Sequence, residues 1–314
     1  MNRRTSTLAV IAGLVGVAAI VAFLLLNRGE GVPLLPSASA VSSEADGTPT
    51  PEPTLNQALL DERLTVLFIG TDSSEPRRAR GAGVNADTYL LASVNAGQSE
   101  VTLISIPRDT TSIPMPDGST WDRKMNAIWA EQGSEGMVAA IESLLQVPID
   151  TYAELDMGEF VSLVDAVGGV TVSPEEPLND DHLDFQLSAG EHELDGTTAQ
   201  LYVRSRADSD YRRTERQQEV LLELARRFMD PQTDVDVAQL LDGFDSFQTT
   251  LPLEDLPTLI EIVRRAQDAQ VTRQVLEPPE FIVFEGDRGD GRGYILEPDV
   301  EAMRAFAART IGDE

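Results

Sequence analysis

Chain connectivity alone brings two carboxylates and an arginine to one place. Arg108 and Asp109 follow Pro107 at the end of an apolar run, Val101–Ile106, and Asp87 opens the run before it, Thr88–Val94. The short turn Asn95-Ala96-Gly97-Gln98 joins these runs as a hairpin, which sets Asp87 roughly opposite Ile106 and beside Arg108 at a sheet edge. Asp72 leaves a third run, Leu64–Gly70, into the loop that returns to Asp87. Two facing aspartates repel unless a shared proton or a cation separates them. An ordinary strand-end ion pair between Arg108 and one aspartate competes with that reading.

A second constellation favours an anion site. Arg204, Arg206, Arg212, Arg213 and Arg216 fall within 13 residues. On the helix expected from Arg213, the apolar stripe Val220, Leu221, Leu224 and Phe228 steps back onto Gln217 and Arg213. Arginine and glutamine thus continue the core-facing side at a helix N-terminus, where backbone N–H groups and the dipole favour an anion. Guanidinium forks grip phosphate oxygens in pairs, and two or three suit a pyrophosphate. Pairing with Asp208, Asp210 and Glu215 accounts for part of this charge, but not for arginines on the inward side. Lys124, the only lysine among 24 basic residues, follows shortly after Arg108 and is a further phosphate-binding charge.

The rest of the composition narrows the chemistry. The chain has 314 residues, 53 acidic against 24 basic, and a formal net charge of −29. That balance argues against nucleic acid, whose phosphates require a basic face. No cysteine is present, which excludes disulfides, thiolate metal sites and cysteine nucleophiles, and only His182 and His192 are histidines. Carboxylates, arginines, hydroxyls and amides must do the work.

The elements that position these groups follow an apolar leader. Leu8–Leu26 is 19 consecutive uncharged residues, long enough to cross a bilayer, and Arg3 and Arg4 precede it. The positive-inside bias predicts a cytoplasmic N-terminus (residues 1–7), one transmembrane helix (8–26) and an exported body. Cleavage at Ser37-Ala38-Ser39-Ala40 is disfavoured, since that site lies too far beyond the apolar run. Residues 27–61, with Pro33, Pro36, Pro49, Pro51 and Pro53, read as a tether. Residues 62–312 read as a single α/β unit, a layered α-β-α domain with a mixed central sheet. Its expected strands are Leu64–Gly70, Thr88–Val94, Val101–Ile106, Val271–Leu276, Phe281–Phe284 and Gly293–Leu296. Its expected helices are Ser134–Leu145, Gly158–Val167, Thr197–Arg204, Arg213–Phe228, Val235–Phe244, Leu253–Ala266 and Pro298–Thr310.

With these residues in view, the chain resembles the LytR-CpsA-Psr family of cell-wall glycopolymer ligases. The matching segments are FIGTDS (68–73), ADT (86–88), SIPRDT (105–110), KMNA (124–127), DMGEFVSLVDAVGGVTV (156–172) and LDGTTAQLYVRSRADSDYRRTERQQ (194–218). The resemblance implies a membrane-anchored phosphotransferase on the outer membrane face. Its reaction moves a glycan-1-phosphate from an undecaprenyl-pyrophosphate carrier onto a peptidoglycan hydroxyl. It also implies that Asp72 and Asp87 hold Mg²⁺. Arg108, Arg204, Arg206, Arg213 and Gln217 would clamp the pyrophosphate, with Lys124 and Asp210 in support and Asp109 orienting an arginine. A site aspartate such as Asp72 is the expected proton acceptor. The implied partners are the polyprenyl-pyrophosphate-linked glycan, the peptidoglycan acceptor and the membrane, with no nucleic acid.

The chain departs from the family pattern at Asn85, where an arginine usually stands two residues before the aspartate of ADT; Arg77, Arg78 or Arg80 could replace it. Arg212 stands where glycine is frequent, and Trp129 where tyrosine is. His182 among Asp180, Asp181 and Asp184 reads as a solvated acidic loop, Arg288-Gly289-Asp290 as a glycine-rich turn, and Gly168-Gly169 as a helix stop. A polyprenyl-pyrophosphate hydrolase, using water as acceptor, and a noncatalytic glycolipid-binding or regulatory protein are the alternative functions.

Overall fold

The computed structural model describes residues 55–72, 84–230, 232–233, 235–236, 248–250 and 255–312. The Leu8–Leu26 segment, Arg77, Arg78, Arg80 and most of the helix expected over Val235–Phe244 lie outside them. No helix among the described residues is long and apolar enough to cross a membrane.

A short helix, α1 (Gln57–Asp61), comes first, within the stretch read as tether. It belongs to the folded body: Leu60 is buried, its carbonyl accepts from Gln98, and Asn56 N–H donates to Thr258. Next, β1 (Leu64–Asp72), β2 (Asn85–Val94) and β3 (Glu100–Ser105) form an antiparallel meander that contains the expected β2–β3 hairpin. Their side chains alternate between two cores, which is why they read as apolar on both faces. Leu67, Ile69, Tyr89, Leu91 and Ile104 enter one core; Leu64, Val66, Leu90, Ala92 and Leu103 enter the other.

A small ribbon, β4 (Ile113–Pro114) with β5 (Thr120–Trp121), leads into α2 (Asn126–Leu145), which is interrupted at Gly133. The expected helix start at Ser134 coincides with that interruption. β6 (Thr151–Asp156) then pairs parallel with β1. α3 (Met157–Ala166) begins with a capping box between Asp156 and Glu159 and ends at Gly168-Gly169, both at positive φ. Two small ribbons follow, β7 (Val170–Val172) with β10 (His192–Leu194) and β8 (Leu178–Asp180) with β9 (Phe185–Leu187). They are covered by α4 (Gly196–Arg204) and α5 (Asp210–Met229). A Cβ at Gly196 would lie 2.4 Å from the Val161 carbonyl, so only glycine lets α4 start this close to α3.

β11 (Gln248–Thr249), α6 (Leu256–Arg265) and β12 (Gln270–Val275) complete the central sheet in the order β11-β6-β1-β2-β3-β12. A hairpin, β13 (Ile282–Asp287) and β14 (Tyr294–Pro298), turns through the Arg288-Gly289-Asp290 segment as expected, and α7 (Val300–Ile311) closes the chain. α2 and α7 cover one sheet face through Met137, Ile141, Met303 and Phe306. α1 and α6 cover the other through Leu60, Leu259 and Ile262. The sheet is mixed and the layers are helix, sheet, helix. A third core, between α3, α4 and α5, holds Phe160, Leu163, Tyr202, Val220 and Leu224.

Candidate functional site

The site starts from an irregularity in the sheet. Gly70 pairs with Thr88 and Thr71 with Ala86, so Asp87 is an extra residue with no partner in the ladder, a β-bulge. Bulges bend a strand and re-aim its side chains at sheet ends. A Cβ at Gly70 would approach the Thr88 Cβ to 2.9 Å, so the crowded strand pair beside the bulge requires glycine. Asp72, at the end of β1, stands opposite Asn85.

Arg108 reaches Asp87 from the loop after β3, with Nη1 donating to Oδ1 at 2.5 Å. The register differs from the expected one: Leu90 pairs with Ser105, and the same offset sets Asp87 level with Arg108 rather than Ile106. The cause is a longer turn, in which Asn95 Oδ1 accepts from both Ser99 and Glu100 N–H. The Arg108 loop is pinned by Thr110, whose hydroxyl donates to the Pro107 carbonyl at 2.6 Å. The KMNA segment docks on it through Met125 N–H to the Thr110 carbonyl at 2.8 Å. Lys124 Nζ lies 2.7 Å from Asp109, whose other oxygen lies 3.7 Å from Arg108 Nε. Asp109 thus holds Lys124 and Arg108 together. Burial opposes the charge on Arg108. Asp87, by charge and hydrogen bond, and then Asp109 and Asp210 overcome it, so the Arg108 pKa stands above the ordinary arginine value.

The second wall is the turn between α4 and α5. Arg204, the last residue of α4, places Nη2 3.6 Å from Asp72 Oδ2. Asp180 is buried and fixes the turn by accepting from Ser205 Oγ (2.8 Å) and Arg206 N–H (3.0 Å). α5 begins at Asp210, one turn before the expected start, with Ser209 as N-cap. Arg213 is therefore inside the helix, and the N-terminal N–H groups belong to the Asp210 turn. Its guanidinium is nonetheless buried as the apolar stripe predicts. Asp210 bridges Arg213 Nη2 at 2.9 Å and Arg206 Nε at 3.3 Å. Burial pushes the Arg213 pKa down to about 10, with Asp210 opposing and the neighbouring Arg206 and Arg108 charges adding to the fall. It remains charged at neutral pH.

These walls enclose a cleft of about 600 Å³ lined by Asp72, Asp87, Arg108, Arg204, Arg206, Arg213 and Gln217. Asp210 and Lys124, expected at the substrate, are not among the lining residues; Asp210 is paired with Arg206 and Arg213, and Lys124 with Asp109. Gln217 already donates to the Val203 carbonyl at 3.3 Å, so it braces α4 as well as lining the cleft. Two of the clustered arginines face elsewhere. Arg212 pairs with Glu215. Buried Arg216 donates to the Tyr202 and Ser205 carbonyls and to Asp208, clamping the turn. Two polar atoms stand out: the Nε groups of Arg108 and Arg213 are buried with no hydrogen-bond partner. A buried donor left unpaired costs free energy unless a ligand oxygen completes it. The Asn179–Leu183 segment also lines the cleft, so the acidic loop around His182 is a site wall. Its sequence carried no signal of this, because its placement depends on Asp180 accepting from Ser205 and Arg206, 25 and 26 residues away.

The family model described as the LytR_cpsA_psr family matches residues 35–298. The chain belongs to this family. The teichoic acid–peptidoglycan transferase TagU of Enterococcus faecalis is 30% identical over 62% of this chain and 64% of its own. LcpB of Corynebacterium glutamicum, a probable cell wall biosynthesis protein, is 32% identical over 76% of this chain and 55% of its own. The chain spans about half to two thirds of the length of such relatives. The crystal structure of Bacillus subtilis TagV has the same fold, with a TM-score of 0.63 and 21% identity over 81% of this chain and 99% of that one. In this LytR_cpsA_psr member, the ADT, SIPRDT and VRSR segments, far apart in the chain, meet around one cleft. KMNA backs it through Lys124 and Asp109.

Proposed function

We propose that this chain is a phosphotransferase that moves a glycan-1-phosphate from a polyprenyl-diphosphate carrier onto a hydroxyl of peptidoglycan. The observation that carries the reading is that Arg108 and Arg213 line a cleft with Asp72 and Asp87 while each keeps a buried Nε with no hydrogen-bond partner. The names of the relatives support it, since several are teichoic acid–peptidoglycan transferases. Arg108, Arg204, Arg206 and Arg213 bind the diphosphate oxygens, neutralise charge on the departing lipid phosphate and hold phosphorus in line with the acceptor. Asp210 holds Arg206 and Arg213 together through its two oxygens, and Asp109 does the same for Arg108 and Lys124. Asp72 accepts the proton of the attacking hydroxyl.

Asp72 and Asp87 fit Mg²⁺. Among the described residues no three His, Cys, Asp or Glu side chains are grouped to hold a metal, yet two carboxylates completed by substrate phosphates and water are what this ion accepts. It would supply further charge neutralisation at the diphosphate. Each carboxylate now faces an arginine, Asp87 with Arg108 and Asp72 with Arg204. A cation held by Asp72 and Asp87 would compete with Arg108 and Arg204 for their carboxylates and leave those guanidinium groups to phosphate, so cation and diphosphate would strengthen each other's binding. The Leu8–Leu26 segment serves as a single-pass anchor in the cell membrane, with the catalytic body on the extracytoplasmic side.

The test incubates the full chain with a polyprenyl-diphosphate-linked saccharide, peptidoglycan oligomer and Mg²⁺, and follows the sugar phosphate by mass spectrometry. Attachment to peptidoglycan, lost in Asp87→Ala and Arg204→Ala, is expected. Release of free sugar phosphate alone would replace transfer with hydrolysis.

A further inference from the structure

Next to the Asp109 loop, and outside the cleft lining itself, stands a cluster that the phosphate chemistry does not use. Tyr294 on β14 donates its hydroxyl to one oxygen of Glu285 on β13. Tyr211, beside Asp210 on α5, donates to the other oxygen at 3.4 Å. Burial, then the Glu285 charge and bonds, raises the pKa of both phenols, so each stays a donor. Tyr294 is 49% exposed, the only aromatic side chain among the described residues so exposed.

This hairpin is stitched to the catalytic loop. Leu296 N–H donates to the Asp109 carbonyl at 3.0 Å, and the Leu296 carbonyl accepts from Thr111 N–H at 2.8 Å. On the other side Tyr211 directly follows Asp210, whose carboxylate is paired with Arg206 and Arg213 of the cleft lining, so the cluster is tied to the cleft through α5 as well.

An exposed tyrosine ring beside a carboxylate with unused lone pairs matches a pyranose. The C–H face of the sugar packs on the ring and its hydroxyls donate to the carboxylate. A lipid tail would bury Glu285 without compensation, and another phosphate would be repelled by it. We propose that Tyr294, Tyr211 and Glu285 form a saccharide subsite at the mouth of the diphosphate cleft, taking a pyranose ring of one of the two glycans that meet there. This rests on the transferase reading, which brings both glycans to the cleft. Tyr294 is the platform, Glu285 holds hydroxyls, and Tyr211 fixes Glu285.

Binding is measured without turnover, so failure of the subsite and failure of the transferase reading are distinguishable. The full chain, Tyr294→Ala and Tyr294→Phe are titrated by calorimetry with a soluble peptidoglycan oligosaccharide, a polyprenyl-diphosphate-linked glycan and inorganic diphosphate. Tyr294→Ala should weaken one of the glycans about five-fold, and Tyr294→Phe less than about two-fold, with inorganic diphosphate unchanged. Loss confined to the peptidoglycan oligosaccharide assigns the subsite to the acceptor; loss confined to the carrier-linked glycan assigns it to the donor. Equal affinity of the full chain and Tyr294→Ala for both glycans overturns the subsite. So does a full chain that holds diphosphate but no peptidoglycan oligosaccharide and gains nothing from the donor's sugar. Absence of diphosphate binding in the full chain would instead count against the transferase reading.

Discussion

Helix α5 separates two clefts of nearly equal size. On one flank, Arg213 and Gln217 face Asp72 and Asp87 across about 600 Å³. On the other, Arg212, Glu215, Arg216 and Glu219 face the Ser173–Leu178 segment and Arg273 across about 660 Å³. Volume would favour the second cleft, and both contain arginine. The difference lies in what the arginines already hold. In the larger cleft Arg212 bonds Glu215, Arg216 bonds two carbonyls and Asp208, and Arg273 bonds Gln218 and the Glu215 carbonyl. In the smaller cleft Asp87, Asp109 and Asp210 hold parts of the Arg108 and Arg213 guanidinium groups, but the two Nε groups are buried with no hydrogen-bond partner. The larger cleft is lined by six carboxylates against three arginines and the candidate cleft by four against four, so the former is the more repulsive to phosphate. Unused donors, rather than room, distinguish the candidate site.

The contrast can be broken most directly by substitution. Arg108→Ala should lower kcat/KM for transfer by about 10²–10³, the scale for removing a donor aimed at developing charge. Arg273→Ala in the larger cleft should change it less than about three-fold, since no substrate contact is lost. Arg216→Ala sharpens the comparison from the stability side. It removes the clamp on the α4–α5 turn, and unfolding by denaturant should show a loss of about 2 kcal/mol, below the full cost of a buried pair because Asp208 is partly exposed.

Smaller effects test the coupling between cation and anion. Chelation of Mg²⁺ should weaken diphosphate binding by about ten-fold, the scale of a typical coupling free energy. Asp87→Asn should abolish that dependence. The pH profile gives the finest discrimination. Arg213 carries its charge below a pKa of about 10 and loses it above. Diphosphate affinity should therefore hold from neutral pH and fall as pH rises through that value, and Arg213→Gln should flatten the fall.

Much of this could be read from the sequence, and the parts that could not share a cause. The strands β1, β2 and β3 were legible because both of their faces are buried. β6, beside β1 in the sheet, was not, because TYAELD has only a half-buried alternation and ends in acids. The inward side of α5 was legible from its stripe, which correctly took Arg213 into the core. That Arg216 on the same helix is a clamp was not, since its partners are carbonyls of α4 and its C-cap. The convergence of Asp87 and Arg108 followed from hairpin connectivity, whereas the bulge that sets Asp87 out of the ladder depends on spacing that no composition reveals. Local pattern was legible; long-range backbone bonding was not.

The most direct measurement is diphosphate binding by the full chain, Arg213→Gln and Arg273→Gln, titrated with a polyprenyl-diphosphate analogue in the presence of Mg²⁺. The account predicts about ten-fold or greater loss in Arg213→Gln, whose side chain leaves the cleft one buried charge short, and none in Arg273→Gln. Equal affinity in all three proteins, or a loss confined to Arg273→Gln, would contradict it.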